Sequence, residues 1–151
     1  MIHPLRHRRG LLQAGLALGA AAYLPPARAC EYFAATLRIH HPWARASAPG
    51  ASSAIVSMQF DEVSKADRLI GVQIDIAEGA EINGRAVDFA IPEGQVTTFG
   101  EQGAVQLRLV GLQRPLQIGR SYPMKLAFEH GGVVHAGLNI DFPPTDLKRF
   151  F

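Results

Sequence analysis

Short apolar or alternating segments, separated by glycine, proline and aspartate, constrain the fold of this chain more than any other feature. No segment has a long helical periodicity, and neither an internal repeat nor a linker interrupts the series. Recurrent short strands between turn residues are typical of a β-sandwich or a barrel. The pattern predicts an all-β domain with strands at Thr36–His40, Ala54–Phe60, Arg68–Ile76, Val87–Ile91, Ala104–Val110, Tyr122–Glu129 and Val133–Asp141.

Alternation within these segments predicts which side chains face the core, because successive residues of a strand point to opposite faces. In Ala54–Phe60 the larger apolar residues share one face, so Met58 is interpreted as a core residue and not as a ligand. In Ala104–Val110 the apolar residues again share one face, which leaves Gln106 and Arg108 on the outer face.

The last two predicted strands form a hairpin whose loop length can be tested by the same rule. A three-residue loop, 130–132, pairs Phe128 with Val134 and puts both apolar sets on one side of the hairpin. His130 is then expected at the turn tip and His135 on the outer face.

The charge balance argues against a nucleic-acid partner. The chain of 151 residues holds 15 Lys and Arg against 13 Asp and Glu. Four of those bases lie in residues 1–29, which hold no acid, so the remainder carries 11 bases against 13 acids. Phosphate binding needs clustered Lys and Arg, which a weakly acidic domain does not supply. Hydrophobic residues make up 48% of the chain, enough for a globular core.

The first 29 residues have the pattern of an export signal. A basic stretch ending in Arg8 and Arg9 precedes an apolar run over 10–24, and Ala-Arg-Ala at 27–29 resembles a cleavage site. The adjacent arginines resemble a twin-arginine signal, with a basic Sec signal as the alternative. We therefore expect an exported, periplasmic protein, with cleavage between Ala29 and Cys30 and no transmembrane segment in the mature chain. Residues 30–151 are expected to form one β-sandwich domain, with a short C-terminal tail from about 143.

Cys30 is the single cysteine of the chain, so no intramolecular disulfide can form. Its position after Ala29 suggests a lipid anchor, although Ala-Arg-Ala is a poor lipoprotein signal. A free or simply N-terminal cysteine is the alternative interpretation.

The sequence has no motif that carries catalytic chemistry: there is no nucleophile elbow, no phosphate-binding loop and no zinc-protease motif. No catalytic residue is therefore assigned, and no enzyme is expected.

His40 and His41 would point to opposite faces of a regular strand and could share a metal ion only if the chain kinks at Pro42. Asp61 and Asp67 are interpreted as part of a solvated polar connection.

Six segments together resemble the periplasmic copper chaperones of the PCu(A)C family. The resemblance spans about Leu37 to Phe142, and each segment alone is only modestly specific. The segments are HPWARASAPGA (41–51), DRLIGV (67–72), GAEI (79–82), IPEG (91–94), LVGLQRPLQIG (109–119) and YPMKLAFEHGGVV (122–134). The resemblance implies a cupredoxin-like, immunoglobulin-like Greek-key β-sandwich and a role in carrying Cu(I) to respiratory oxidase.

The copper ligands that this family implies do not recur here. Family members supply two His-x-Met pairs and a further Met. The first pair falls on Asn83 and Arg85, the second on Gln106 and Arg108, and the loop that bears the extra Met is shortened. Arginine has no lone pair to offer a metal and carries a fixed positive charge. No metal ligand and no resident cofactor is therefore assigned at these four positions, although the resemblance leaves copper possible.

Two hypotheses about function follow. In the first, the chain still serves copper trafficking or oxidase assembly, through a protein partner or through other ligands such as His40, His41 or Cys30. In the second, it is a metal-free binding module in which Arg85 and Arg108 meet on one outer surface. A planar guanidinium pair could receive a carboxylate or a phosphate there.

Overall fold

Every regular element of the structure, a computed structural model that describes residues 30–141, is a β-strand. The predicted export signal over 1–29 and the predicted tail from about 143 lie outside the described residues. No helix in 30–141 is long and apolar enough to cross a membrane. The strands are β1 (Glu31–Phe33), β2 (Arg38–Arg45), β3 (Ser53–Asp61), β4 (Asp67–Ile74), β5 (Ala77–Ile82), β6 (Arg85–Ala86), β7 (Phe89–Ile91), β8 (Thr97–Phe99), β9 (Leu107–Leu112), β10 (Ser121–Phe128) and β11 (Gly132–Asp141).

The strands form one strongly curled sheet in the order β6-β5-β9-β3-β2-β11-β10-β4-β7, with β1 paired to β2 and β8 paired to β3. The β11–β2 pair is parallel, and the other strand pairs of the described region are antiparallel. Strands β4 and β5 follow each other in the chain but are not hydrogen-bonded neighbours, so the sheet turns back over itself between them. The predicted all-β sandwich is confirmed.

The core lies between the facing layers and is filled by the alternating apolar residues of the central strands. On β3, Val56, Met58 and Phe60 are all at least 97% buried, as the alternation predicts. The Phe60 ring makes edge contacts with Phe99 and Phe128, at centroid distances of 5.0 and 5.5 Å. Such edge-to-face pairs each add about 1 kcal/mol to the burial of their area, so this aromatic cluster anchors β3, β8 and β10.

The hairpin of β10 and β11 keeps both apolar sets on one side, but its predicted loop is wrong by one position. Phe128 pairs with Gly132, not with Val134, and the loop is 129–131. The cause lies outside the hairpin: the backbone N–H groups of His130 and Gly131 donate to a buried carboxylate. His130 is at the turn and His135 is exposed on β11, as predicted.

That carboxylate belongs to Asp67, which is only 6% exposed. Its Oδ1 accepts from the backbone N–H of Arg68 at 2.7 Å and of His130 at 2.9 Å. Its Oδ2 accepts from Thr36 Oγ1 at 2.6 Å and from the Gly131 N–H at 2.8 Å. The interpretation of Asp67 as a solvated loop residue is therefore wrong, because its side chain joins three separate segments of the fold.

Asp61 is not a solvated loop residue either. Arg38 Nε donates to Asp61 Oδ1 at 2.7 Å, and Arg38 Nη2 donates to Oδ2 at 2.9 Å. This two-point contact holds the pKa of Asp61 below its ordinary value, and Gln59 adds a further hydrogen bond. The pair joins the start of β2 to the end of β3.

Replacing Asp67 with Asn should lower the free energy of unfolding by about 3 kcal/mol, because the new NH₂ group faces donors that need an acceptor. Burial raises the pKa of Asp67, but the hydrogen bonds from Thr36, His130, Arg68 and Gly131 outweigh it and hold that pKa below 3.8. The stability that Asp67 contributes is thus present above about pH 4 and lost as pH falls through its folded-state pKa. Urea denaturation at several pH values measures the difference between wild type and D67N, which should shrink in acid.

The matched control for this substitution is Asp88→Asn. Asp88 forms an exposed ion pair with Arg68, and such pairs contribute less than about 1 kcal/mol. Equal losses of stability for D67N and D88N at neutral pH would contradict the role given to Asp67.

Replacing Gly131 with Ala should also destabilise the fold, because a Cβ there would lie 2.7 Å from Thr36 Oγ1 and 2.9 Å from Asp67 Oδ2. We expect a loss of roughly 2 kcal/mol, measured by thermal or urea unfolding. Gly79→Ala is the control, since its nearest neighbour would be Val110 Cγ2 at 3.8 Å. A G131A protein as stable as G79A would refute the close approach of this loop to Asp67.

Candidate functional site

Asn83 lies where β5 turns into β6, and Gln106 lies beside it, just before β9. We call the place where these two residues meet the Asn83 corner. Asn83 and Gly84 both have positive φ, of 50° and 77°, and Ile82 pairs directly with Arg85. This is the two-residue hairpin turn that an Asn-Gly pair favours, since both residues tolerate the left-handed conformation. The Asn-Gly pair thus accounts for the tight turn between β5 and β6.

Asn83 and Gln106 are joined to each other by hydrogen bonds. The Asn83 N–H donates to the Gln106 carbonyl at 3.0 Å, and the Gln106 N–H donates to Asn83 Oδ1 at 2.9 Å. The Gln106 side-chain amide in turn donates to the Glu101 carbonyl at 3.0 Å. The polar groups of this corner are thus engaged in holding the turn against the beginning of β9.

The two arginines of the predicted patch lie on opposite faces of the sheet. Residues that pair directly across neighbouring strands have their side chains on the same face of the sheet. Arg85 pairs with Ile82, and Ile82 pairs with Leu107, so Arg85 lies on the same face as these two buried residues. Arg108 pairs with Glu81 and belongs to the other face. The structure therefore brings Asn83 and Gln106 together but does not bring Arg85 and Arg108 together.

Each arginine lines a depression of its own. Arg108 donates to Ser53 Oγ at 3.1 Å and borders a depression of about 300 Å³, where Arg45 forms an ion pair with Glu101 at 2.9 Å. Arg85 borders a separate depression of about 650 Å³. A single anion could not receive both guanidinium groups from these positions.

A third depression, of about 610 Å³, has both His40 and His41 among its lining residues. We call it the histidine groove and define it by His40, His41, Trp43, Gln59 and Gln102, which are among its lining residues. β2 is not a regular strand here, because its pairing with β3 shifts register between His40 and Trp43 and His41 has a positive φ. Trp43, half-buried, lies along the same groove.

Within 30–141, no group of three or more His, Cys, Asp or Glu residues is arranged to hold a metal ion. Cys30 Sγ accepts a hydrogen bond from Asn139 Nδ2 at 3.2 Å, which ties the cysteine to β11.

Residues 37–140 of the 151 match the model of a family described as "Putative lipoprotein LpqE-like". The chain belongs to the LpqE-like family. The matched region nearly coincides with the span over which the sequence resembles the PCu(A)C proteins. No curated protein matches the LpqE-like chain.

Solved structures of PCuAC domains share its fold. The copper-bound PCuAC domain from PmoF2 is 27% identical, with a TM-score of 0.69 over 75% of this chain and 98% of that one. The apo PCuAC domain from PmoF1 is 28% identical, with a TM-score of 0.68 over 75% and 99% of the two chains. The Cu(I)-bound DR1885 protein from Deinococcus radiodurans, 17% identical over 83% and 85%, has a TM-score of 0.58 and is similar in fold alone. The resemblance to PCuAC domains is confirmed, and it supports a copper-related function.

Sequence reasoning missed the surroundings of both arginines and of the histidines. Ser53 and Gln102 carry no motif that would single them out, because their positions depend on which strands become neighbours. The His-His-Pro sequence does carry a signal, since a residue before proline is restricted and a strand often bulges there.

Replacing Asn83 with Ala should lower the free energy of unfolding by about 1–2 kcal/mol, because alanine neither accepts from the Gln106 N–H nor tolerates the positive φ. Asn83→Asp keeps the acceptor and the left-handed preference and should remain near wild type. Urea unfolding compares the two variants. Equal stability of N83A and wild type would contradict the structural role of this side chain.

Proposed function

We propose that this LpqE-like protein is an exported copper-trafficking protein of the PCuAC type that hands copper to a protein partner during assembly of respiratory oxidase. The observation that carries the proposal is the similarity of its whole sandwich to the copper-bound PCuAC domain from PmoF2. A carrier of this kind needs a stable frame and an accessible ligand surface, and it needs no catalytic residues.

Action outside the cytoplasm is part of this proposal. Its support is the basic and apolar sequence of 1–29, the Ala-Arg-Ala site and the lipoprotein description of the family. Cleavage is proposed between Ala29 and Cys30, which would make Cys30 the first residue of the mature periplasmic chain and the point of attachment of any lipid. The intact mass of the protein recovered from the host's envelope measures both features.

We further propose that Asn83, Arg85, Gln106 and Arg108 do not hold the copper. Amide groups are poor ligands for a soft cation, and a guanidinium repels one. The hydrogen bonds between Asn83 and Gln106 support this proposal, because they give both residues a structural task.

The alternative function is a metal-free binding module that uses the polar residues at the positions aligned with the family's copper ligands. The depression beside Arg108 favours it, since Ser53 and the Arg45–Glu101 pair make that surface polar. Because Arg85 lies on the other face, such a module would depend on Arg108 and not on both arginines.

Deleting the gene in its native host under copper limitation should lower the copper content and the activity of the respiratory oxidase. The wild-type gene should restore both, and so should R85A/R108A, because neither arginine binds the metal. A gene without codons 2–29 is the control and should fail, since its product is not exported.

Two outcomes would contradict this function. Unchanged copper in the oxidase of the deletion strain would refute a role in its assembly. Full restoration by wild type together with failure of R108A, produced at the same level, would favour the binding module.

A further inference from the structure

The histidine groove exists because β2 contains a bulge. His40 pairs with Gln59 and Trp43 pairs with Ser57, so two residues of β2 stand opposite one residue of β3. His41 takes a positive φ of 42° at this point. A bulge re-aims one side chain of a strand, and here both neighbouring histidines line the same depression.

The bulge is fixed by its surroundings. Pro42 is buried and has no N–H to give to a neighbouring strand. The His41 N–H donates to the Cys30 carbonyl at 2.7 Å, which ties the bulge to the residue before β1. The backbone that carries the two histidines is therefore held in place by the fold itself.

A carboxylate orients one of the rings. His40 Nε2 lies 3.3 Å from Glu31 Oε1, and the Glu31 side chain, 13% exposed, is itself within 3.7 Å of the Arg38 guanidinium. The tautomer of His40 that presents its Nε2 proton to this carboxylate would leave the lone pair of Nδ1 for a metal ion. Histidine ligands in proteins are commonly oriented by an outer carboxylate in this way.

The lining of the groove carries no charge that would repel a cation. None of its lining residues is Lys or Arg, and besides the two histidines and Trp43 its polar side chains are amides and hydroxyls. The positions that align with the family's copper ligands include an arginine on each face of the sheet, Arg85 and Arg108, which opposes a cation. Of the depressions described above, the histidine groove is therefore the one that fits a metal ion.

We propose that the histidine groove is a copper site in which the imidazoles of His40 and His41 are the protein ligands, with Glu31 as a positioning residue. Imidazole nitrogen suits copper, and copper is bound more tightly than zinc by such ligands. The choice of copper over other ions rests on the proposed function, whereas the pairing of the two histidines rests on the bulge alone.

Fluorescence provides a direct test, because Trp43 is the single tryptophan of the chain and lies in the groove. Titrating the purified protein with Cu(II) should quench Trp43 emission and saturate at one ion per chain. The electron paramagnetic resonance spectrum should show coupling to nitrogen. Zinc should displace the copper only when present in large excess.

Variants assign the ligands. His40→Gln keeps a donor for Glu31, and His41→Asn suits the positive φ, so both should fold; each should weaken copper binding more than tenfold. Glu31→Gln should weaken it about tenfold, as loss of an outer carboxylate does, and should change the nitrogen coupling. His130→Asn and His135→Gln, at exposed positions outside the groove, are the controls and should bind as wild type.

Each outcome decides the proposal. Copper binding by wild type that persists in the H40Q/H41N double variant, with circular dichroism unchanged, would place the copper elsewhere and overturn this site while leaving the proposed function standing. Absence of saturable binding by wild type would also overturn the site. The proposed function fails separately, on the copper content of the oxidase in the deletion strain.

Discussion

The buried carboxylate of Asp67 is the interaction on which the arrangement of this sandwich depends. It accepts hydrogen bonds from the segment before β2, from the start of β4 and from the loop between β10 and β11. Those segments lie far apart in the chain. Because one carboxylate accepts hydrogen bonds from four donor groups on them, it fixes the distances between the segments. Gly131 completes the arrangement, because any larger residue would displace Thr36 or Asp67.

The strands that fill the core could be predicted from alternation alone. β3, β9, β10 and β11 each keep a buried face of strict period two, and the Asn-Gly turn into β6 follows from its two residues. β1 and β8 were missed, because strands of three residues carry too little pattern to distinguish them from loops. β5 and β6 also lie outside the predicted strands, because their short sequences, AEGAEI and RA, show no clear alternation of larger apolar residues. The loop between β10 and β11 was misplaced because its conformation is set by Asp67, more than 60 residues away in the sequence.

Some features of the candidate site could likewise be predicted from the sequence, whereas others depend on how the strands assemble. The proposal that Asn83, Arg85, Gln106 and Arg108 do not hold copper rests on donor chemistry, which the sequence displays directly. That the two arginines face apart depends on the pairing of β5 with both β6 and β9, which only the assembled sheet provides. That His40 and His41 line one depression depends on one extra residue in β2, a local irregularity that a proline suggests but does not locate.

The hydrogen bond from the His41 N–H to the Cys30 carbonyl bears on the proposed lipid anchor. It places the front end of the described chain directly against the groove. Should Cys30 carry acyl chains, the tether would have almost no length, and the groove would be held at the bilayer surface beside its anchor. Cargo in that groove would then meet membrane-embedded acceptors by lateral diffusion in two dimensions, without crossing open solvent.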